Sequence, residues 1–263
     1  LRVDASRRNS QEAYNSLSQK ERRRVNRAAQ EVVAFLYTHD SRFEHTDSVR
    51  TQNDMEGHHG DVRDIIVSTH SGDIGISAKH RHYAVKHSRL SNTIDFGREW
   101  YAKPCSDNYW EMVRPVFNWL GELREQGYLF GDVPHKMDRI YVPILQAFIR
   151  ETTDHADTQN MMKYLIGKYD FYKVIKENGS VSLQSFNIYG TIQWGKKVSL
   201  PTRIIRCEMK PKSKTTAIMY MDEGWQVSFR IHSASSKVEP SLKFDVTLIG
   251  VPSDLSTHEI PYL

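Results

Sequence analysis

Apolar positions in the first part of this 263-residue chain recur mostly at helical spacing, and in the last hundred residues they alternate as strands do. Val25, Ala28, Ala29, Val32 and Leu36 mark one face of a helix predicted from a cap at Ser16 or Ser18 through Tyr37. Glu31 lies between Ala28 and Phe35, so its carboxylate is either solvated at the edge of the buried stripe or aimed at a site. Thr38 to Gly60 carries no period and reads as a long polar loop. After it comes a hairpin: Asp64 precedes the apolar run Ile65, Ile66, Val67, a turn is signalled by His70 to Asp73, and a second strand returns through Ile74 to Lys79. Ser77 and Lys79 share one face of that second strand.

Beyond the hairpin, Ala84 to Leu90 reads as a short helix or turn and DFGREWYAKPCS as a connector. Helices are predicted from Asp107 to near Gly127, from His135 to Glu151 and from Met161 to Lys168, with Pro115 and Pro143 as points of interruption. From Phe171 the texture changes to strands, at 171–176, 181–187, 191–194, 203–209, 216–221, 225–231 and 244–249. The expected fold is therefore α/β. A helical and α/β portion over residues 1–169 holds the hairpin, and a β-rich portion over 170–263 packs closely on it.

Composition adds little at first: 39% hydrophobic and 26% charged residues are ordinary for a globular chain. No apolar run approaches the roughly 20 residues of a membrane-spanning helix. The opening LRVDASRRNS has no apolar signal-peptide core, and Cys105 and Cys207 form no CxxC pair, so a reducing cytoplasm is the expected location. The formal charge is only +4, but its distribution is uneven. Seven basic residues stand between Arg7 and Arg27 against Glu12 and Glu21, and seven more between Lys196 and Lys214 against Glu208. Lys79, Arg81, Lys86 and Arg89, with His80, His82 and His87, form a third cluster that contains no acid. Three such clusters on a nearly balanced chain point to a polyanionic partner, DNA or RNA.

An aspartate and a lysine delivered from paired strands suit a metal-dependent nuclease of the PD-(D/E)xK pattern. In that pattern carboxylates hold magnesium against the scissile phosphate and the ammonium assists the attacking water. Asp64 and Lys79 occupy the outer positions, but Ser77 stands where a second acid is usual. Asp61 is the reserve for Asp64, although the two face opposite sides of a regular strand. Glu31 leads as donor of the missing carboxylate, and Glu56 follows. Zinc is disfavoured: the histidines lack partner cysteines and no HExxH helix is present.

The phrases GDVRDIIV, ISAKHRHYAVKHSRLSNTIDFG and GWQVSFRIHSASSKVEPSLKFDVTLIGVP resemble the HaeIII-like type II restriction endonucleases over most of the chain. That resemblance implies a PD-(D/E)xK nuclease-like core, with a mixed β-sheet flanked by helices, that cuts double-stranded DNA at GGCC with Mg2+. It also implies that Asp64 and Lys79 are catalytic and that Ser77 belongs to a variant motif. The metal would be held by Asp64, the carbonyl near Ala78 and a further acid, Glu31 or Asp61. The basic stretch supplies Arg81, His82, Lys86, His87 and Arg89 as DNA contacts. Arg230, His232, Ser233, Ser235, Ser236 and Lys237 combine forked and short polar donors suited to guanine edges and phosphates. A palindromic target makes a homodimer the expected assembly. The alternative is a DNA-binding protein of nuclease fold that does not cleave, which Ser77 keeps open.

Overall fold

The computed structural model describes residues 2–3, 8–52, 60–80 and 84–263. Its contacts divide the chain into two units, each built from separate stretches: residues 1–83, 167–199 and 252–263, and residues 84–166 and 200–251.

The first unit begins with β1 (Arg2–Val3), α1 (Arg8–Ser16) and α2 (Gln19–His39). Ser18 caps α2 reciprocally with Glu21: the Ser18 hydroxyl accepts the Glu21 amide at 3.3 Å and the Glu21 carboxylate accepts the Ser18 amide at 2.9 Å. The loop expected over Thr38 to Gly60 contains a 3-10 turn at Ser41–His45 and the strand β2 (Thr46–Thr51). Polar side chains on both of its faces hide that strand's period. The hairpin is β3 (Ile65–Thr69) and β4 (Gly72–His80), close to the expected bounds.

The second unit opens with β5 (Ala84–Ser91), where a helix or turn was expected. Lys86, Ser88 and Leu90 are buried while His87 and Arg89 are exposed, so the alternation is real but carries a lysine at an inward position. The expected connector contains α3 (Phe96–Tyr101), capped by Asp95, whose side chain accepts the Arg98 amide. Pro115 sits inside an unbroken α4 (Asp107–Glu125). A π-helical turn at Met137–Tyr141 runs directly into α5 (Val142–His155), whose first turn contains Pro143. The helices of this unit close with α6 (Thr158–Ile166).

The chain then returns to the first unit with β6 (Phe171–Lys176) and β7 (Ser180–Phe186), and no strand forms over 191–194. The second unit resumes with β8 (Ile204–Met209), β9 (Thr216–Met221), β10 (Gln226–Ser233) and β11 (Ser241–Gly250), before β12 (Thr257–Pro261) closes the first. One cut near residue 169 therefore does not describe the contact pattern, because β6 pairs in parallel with the hairpin strand β4.

The seven-stranded mixed sheet of the first unit runs β1-β2-β3-β4-β6-β7-β12. One face is apolar: Val67, Ile74, Tyr172, Val181 and Leu183 pack with Ala28, Val32 and Leu36 of α2. The second unit's sheet runs β5-β11-β10-β9-β8, antiparallel throughout. Its inner face is aromatic, with Phe148 of α5 lying 4.9 Å from Phe229 and 5.0 Å from Phe244 between ring centres. Trp100 and Phe96 of α3 extend that cluster. Among the described residues no helix is long and apolar enough to cross a membrane.

Candidate active site

Alternation along β4 decides what each residue of the hairpin can do. Ile74 joins the apolar core beneath α2, so Ser77 and Lys79 project from the opposite face. Pairing continues one residue past β3: the Asp64 amide donates to the Ile76 carbonyl at 2.9 Å, and the Asp64 carbonyl accepts the Gln52 amide at 2.9 Å. There β3 ends, and the Ala78 amide is left facing the Asp64 side chain instead of a strand carbonyl.

Three donors converge on Asp64 Oδ2: the Ala78 amide at 2.7 Å, the Ser77 hydroxyl at 3.0 Å and Lys79 Nζ at 3.1 Å. Oδ1 meets only Lys79 among these, at 3.4 Å. The Asp64 side chain is 41% exposed and that of Lys79 27%, so the group is anchored from beneath and open above. The amide and carbonyl of one strand residue point to the same edge, which turns the Ala78 carbonyl toward the Asp64 side as well. A carboxylate oxygen and a carbonyl oxygen, both hard donors, are therefore offered at one strand end.

The expected second acid is not beside them. Glu31 rides on α2, the helix that covers the other face of the sheet, and its carboxylate pairs with Arg27 at 3.5 Å. Asp61 is already engaged: Arg63 donates to Oδ1 at 2.8 Å and to Oδ2 at 2.6 Å. Burial opposes its ionisation, but bonds from Arg63 and Gln52 outweigh that and hold the carboxyl below its ordinary range. Arg63 is itself pinned, stacked 3.9 Å from the centre of the Tyr169 ring and lying across Gly75, where a Cβ would collide with Arg63 Cδ. Glu56 lies outside the described residues. Among the described residues no three His, Cys, Asp or Glu side chains are grouped so as to hold a metal ion.

Lys173 was not singled out by the sequence. Its backbone pairs with Ser77 in the parallel β4–β6 register, which puts both side chains on the same face, and it is only 4% exposed. Burial first, and the charge of Lys79 second, pull its amine down to about 8. A base depressed in the folded state makes stability rise with pH between about 8 and its ordinary 10.5, because there the unfolded chain binds the extra proton. Lys173→Met is accordingly expected to stabilise the protein by on the order of 2–3 kcal/mol at pH 7. It should also flatten that alkaline rise in urea titrations taken from pH 7 to 10.5. An unaltered rise would show that another group is responsible.

In the second unit, the polar face of the sheet gathers several expected DNA contacts. His87 and Arg89 of β5 are exposed there with Arg230 of β10, and His232 of β10 is half-buried beside them. Between them β11 contributes Lys243 and Asp245, which the sequence reading passed over, although the alternation of SLKFDVTLIG marks both as outward. Asp245 Oδ1 lies 2.7 Å from His87 Nδ1, and its Oδ2 lies 3.1 Å from His232 Nε2 at ion-pair distance without hydrogen-bond alignment. Burial opposes ionisation of Asp245, yet the two imidazoles hold its carboxyl below the usual range.

Ser235, Ser236 and Lys237 are exposed in the turn after β10, while Ser233 is half-buried at its end. That turn is held by its backbone: the Ser236 carbonyl accepts the Phe130 amide at 2.8 Å, and the Ser235 hydroxyl donates to the Lys237 carbonyl at 2.8 Å. Lys86 requires correction. It is buried on the helix-covered face, donates to the Tyr164 carbonyl at 3.2 Å and stacks over the Tyr164 ring, so it is not presented to a ligand on the polar face. Arg81 and His82 lie outside the described residues.

The comparisons bear on both units. The sequence profile of the HaeIII restriction endonuclease family matches residues 3–252. Over 235 residues the chain is 43% identical to the Type II restriction enzyme HaeIII of Haemophilus aegyptius, an alignment that takes in 82% of this chain and 74% of the relative. No solved structure matches the chain. The profile spans the Asp64–Lys79 hairpin and the cationic sheet alike, and this chain belongs to the HaeIII restriction endonuclease family.

Proposed function

We propose that this restriction endonuclease hydrolyses phosphodiester bonds of double-stranded DNA at a short palindromic site, GGCC by its resemblance to the family, with Mg2+ as cofactor. The observation that carries this reading is the convergence of the Ser77 hydroxyl, the Ala78 amide and the Lys79 ammonium on one carboxylate oxygen of Asp64. Those donors fix the carboxylate plane and leave Oδ1 with Lys79 alone among them. Oδ1 and the Ala78 carbonyl fit Mg2+, which commonly takes one or two carboxylates and completes its shell with phosphate and water. When bound, the ion would offset charge on the scissile phosphate. Lys79, beside Oδ1, donates to a non-bridging phosphate oxygen and orients the attacking water. Ser77 serves as a positioning residue for Asp64 where the usual pattern has a second acid.

A DNA of known sequence digested with magnesium tests this directly. A fixed set of fragments whose ends map to one palindrome is expected. Cleavage without a fixed fragment pattern, or of RNA instead, would overturn it. The non-cleaving reading rests on Ser77 and on Asp64 being the one carboxylate that the described residues place beside Lys79, and an uncut DNA would favour it. A palindromic site further implies a homodimer with its two-fold axis on that of the DNA.

On the second unit's polar face, Arg230, Arg89, His87, His232 and Lys243 are the proposed contacts, and Lys86 is withdrawn. Phosphate contacts are read by salt: each one removed lowers the slope of log affinity against log salt by about one. Arg89→Ala is expected to lower it in this way and Lys86→Met to leave it unchanged, in binding titrations run without magnesium. Equal slopes for the two variants would reject this assignment of faces.

A further inference from the structure

On β5, β11 and β10, Asp245 is the one acid that the described residues place on the polar face. Strand register arranges its neighbours in rows. Arg89, Lys243 and His232 lie in one row, and His87, Asp245 and Arg230 in the next. Five bases thus surround one carboxylate. Its two oxygens are fixed from either side by His87 and His232, and with a carboxylate offering about four acceptor positions, two remain for a further donor.

A surface that met only phosphates would gain nothing from an acid at its centre, since like charges repel. A base edge is different. In the major groove a G·C pair presents guanine N7 and O6, both acceptors, beside the cytosine N4 amine, a donor. A forked guanidinium next to a carboxylate matches that order, and Arg230 and Asp245 are direct partners across the antiparallel β10–β11 pair. Neighbouring strands lie about 4.8 Å apart, which sets the guanidinium and the carboxylate side by side on the polar face. An amine on adenine N6 is the other donor such a carboxylate could accept.

Resting on the reading that this face meets DNA, we propose that Asp245, held between His87 and His232, accepts a hydrogen bond from the exocyclic amine of a base. That base is cytosine, read together with its guanine by Arg230. Asp245 and Arg230 are thereby specificity-determining residues, whereas Arg89 and Lys243 supply affinity.

The test uses the full chain, without magnesium, and duplexes carrying the sequence at which it cuts. Affinity is measured for that duplex, for duplexes with one base pair exchanged at a time, and for an unrelated duplex. The wild-type protein should lose about ten- to hundredfold on exchange of the pair read by Asp245. Asp245→Asn should lose that discrimination at one symmetry-related set of G·C positions, with binding to the unrelated duplex unchanged or tighter. Arg230→Ala should relax the same positions, and N4-methylcytosine there should weaken the wild type. Sensitivity to N6-methyladenine instead would assign the amine to adenine and overturn the cytosine reading. Thermal melts of both variants confirm that they fold.

Discrimination by Asp245→Asn at every position as in the wild type would sink the inference while leaving the interface intact. If Arg89→Ala, Lys243→Ala, Arg230→Ala and Asp245→Asn all bind as the wild type does, the face does not meet DNA, and the reading beneath the inference fails with it.

Discussion

Asp64→Asn is expected to reduce DNA cleavage by about a thousandfold or more while leaving DNA binding without magnesium within a few-fold of the wild type. Asparagine keeps the shape but loses the charge, and its amide nitrogen would turn a donor toward the Ala78 amide, the Ser77 hydroxyl or Lys79, all of which now donate to the carboxylate. Lys79→Met should fall comparably, since it removes an ammonium that reaches both oxygens of Asp64. Single-turnover cleavage of a plasmid, with binding measured separately, distinguishes lost chemistry from lost affinity. Equal cutting by wild type and both variants would remove the hairpin from the active site.

The largest effect on folding is expected at Asp40, which ends α2 and is fully buried. Its carboxylate accepts from Arg42 Nε at 2.8 Å, from the Tyr172 hydroxyl at 2.7 Å and from the Gln193 amide at 3.2 Å, tying the helix end to β6 and to the segment before β8. Asp40→Ala strands a guanidinium that is itself only 10% exposed. Removing one partner of a buried pair costs about 3–5 kcal/mol, so urea unfolding should show a loss of that order. The acid limb carries the same signature. Burial opposes ionisation of Asp40, but the bonds from Arg42, Tyr172 and Gln193 prevail and hold its carboxyl below the ordinary 3.8. Its stabilisation is therefore complete at neutral pH and is lost as pH falls through that depressed value. Asp40→Asn should flatten this limb, and a limb of unchanged steepness would assign it to other carboxyls.

Some features were legible because short-range chemistry writes them. The capping box at Ser18 and Glu21, the apolar stripe of α2 and the turn between β3 and β4 each rest on residues within a few positions of one another. The pairing of Asp64 with Lys79 followed from the hairpin, since two short strands and a tight turn bring residues fifteen apart onto neighbouring positions. Two strands are hidden by conflicting local signals. Lys86 at an inward position disguised β5 as a helix or turn, and the polar faces of β2 disguised it as loop.

Other features have no local record. Lys173 stands beside Ser77 only because β6 pairs in parallel with β4 after an intervening stretch of 90 residues (81–170). His87 and Asp245 meet across 158 positions of sequence through strand register. Glu31 looked available because the helical period says which side of α2 is buried but not which face of the sheet it covers. Residue types and their spacing thus established the helix, the hairpin and the basic clusters, for which the governing forces act within a turn or a strand. Which carboxylate stands alone, which lysine is buried and which acid is set among bases depended on long-range pairing, where shifting one strand by a single residue exchanges the two faces of a sheet.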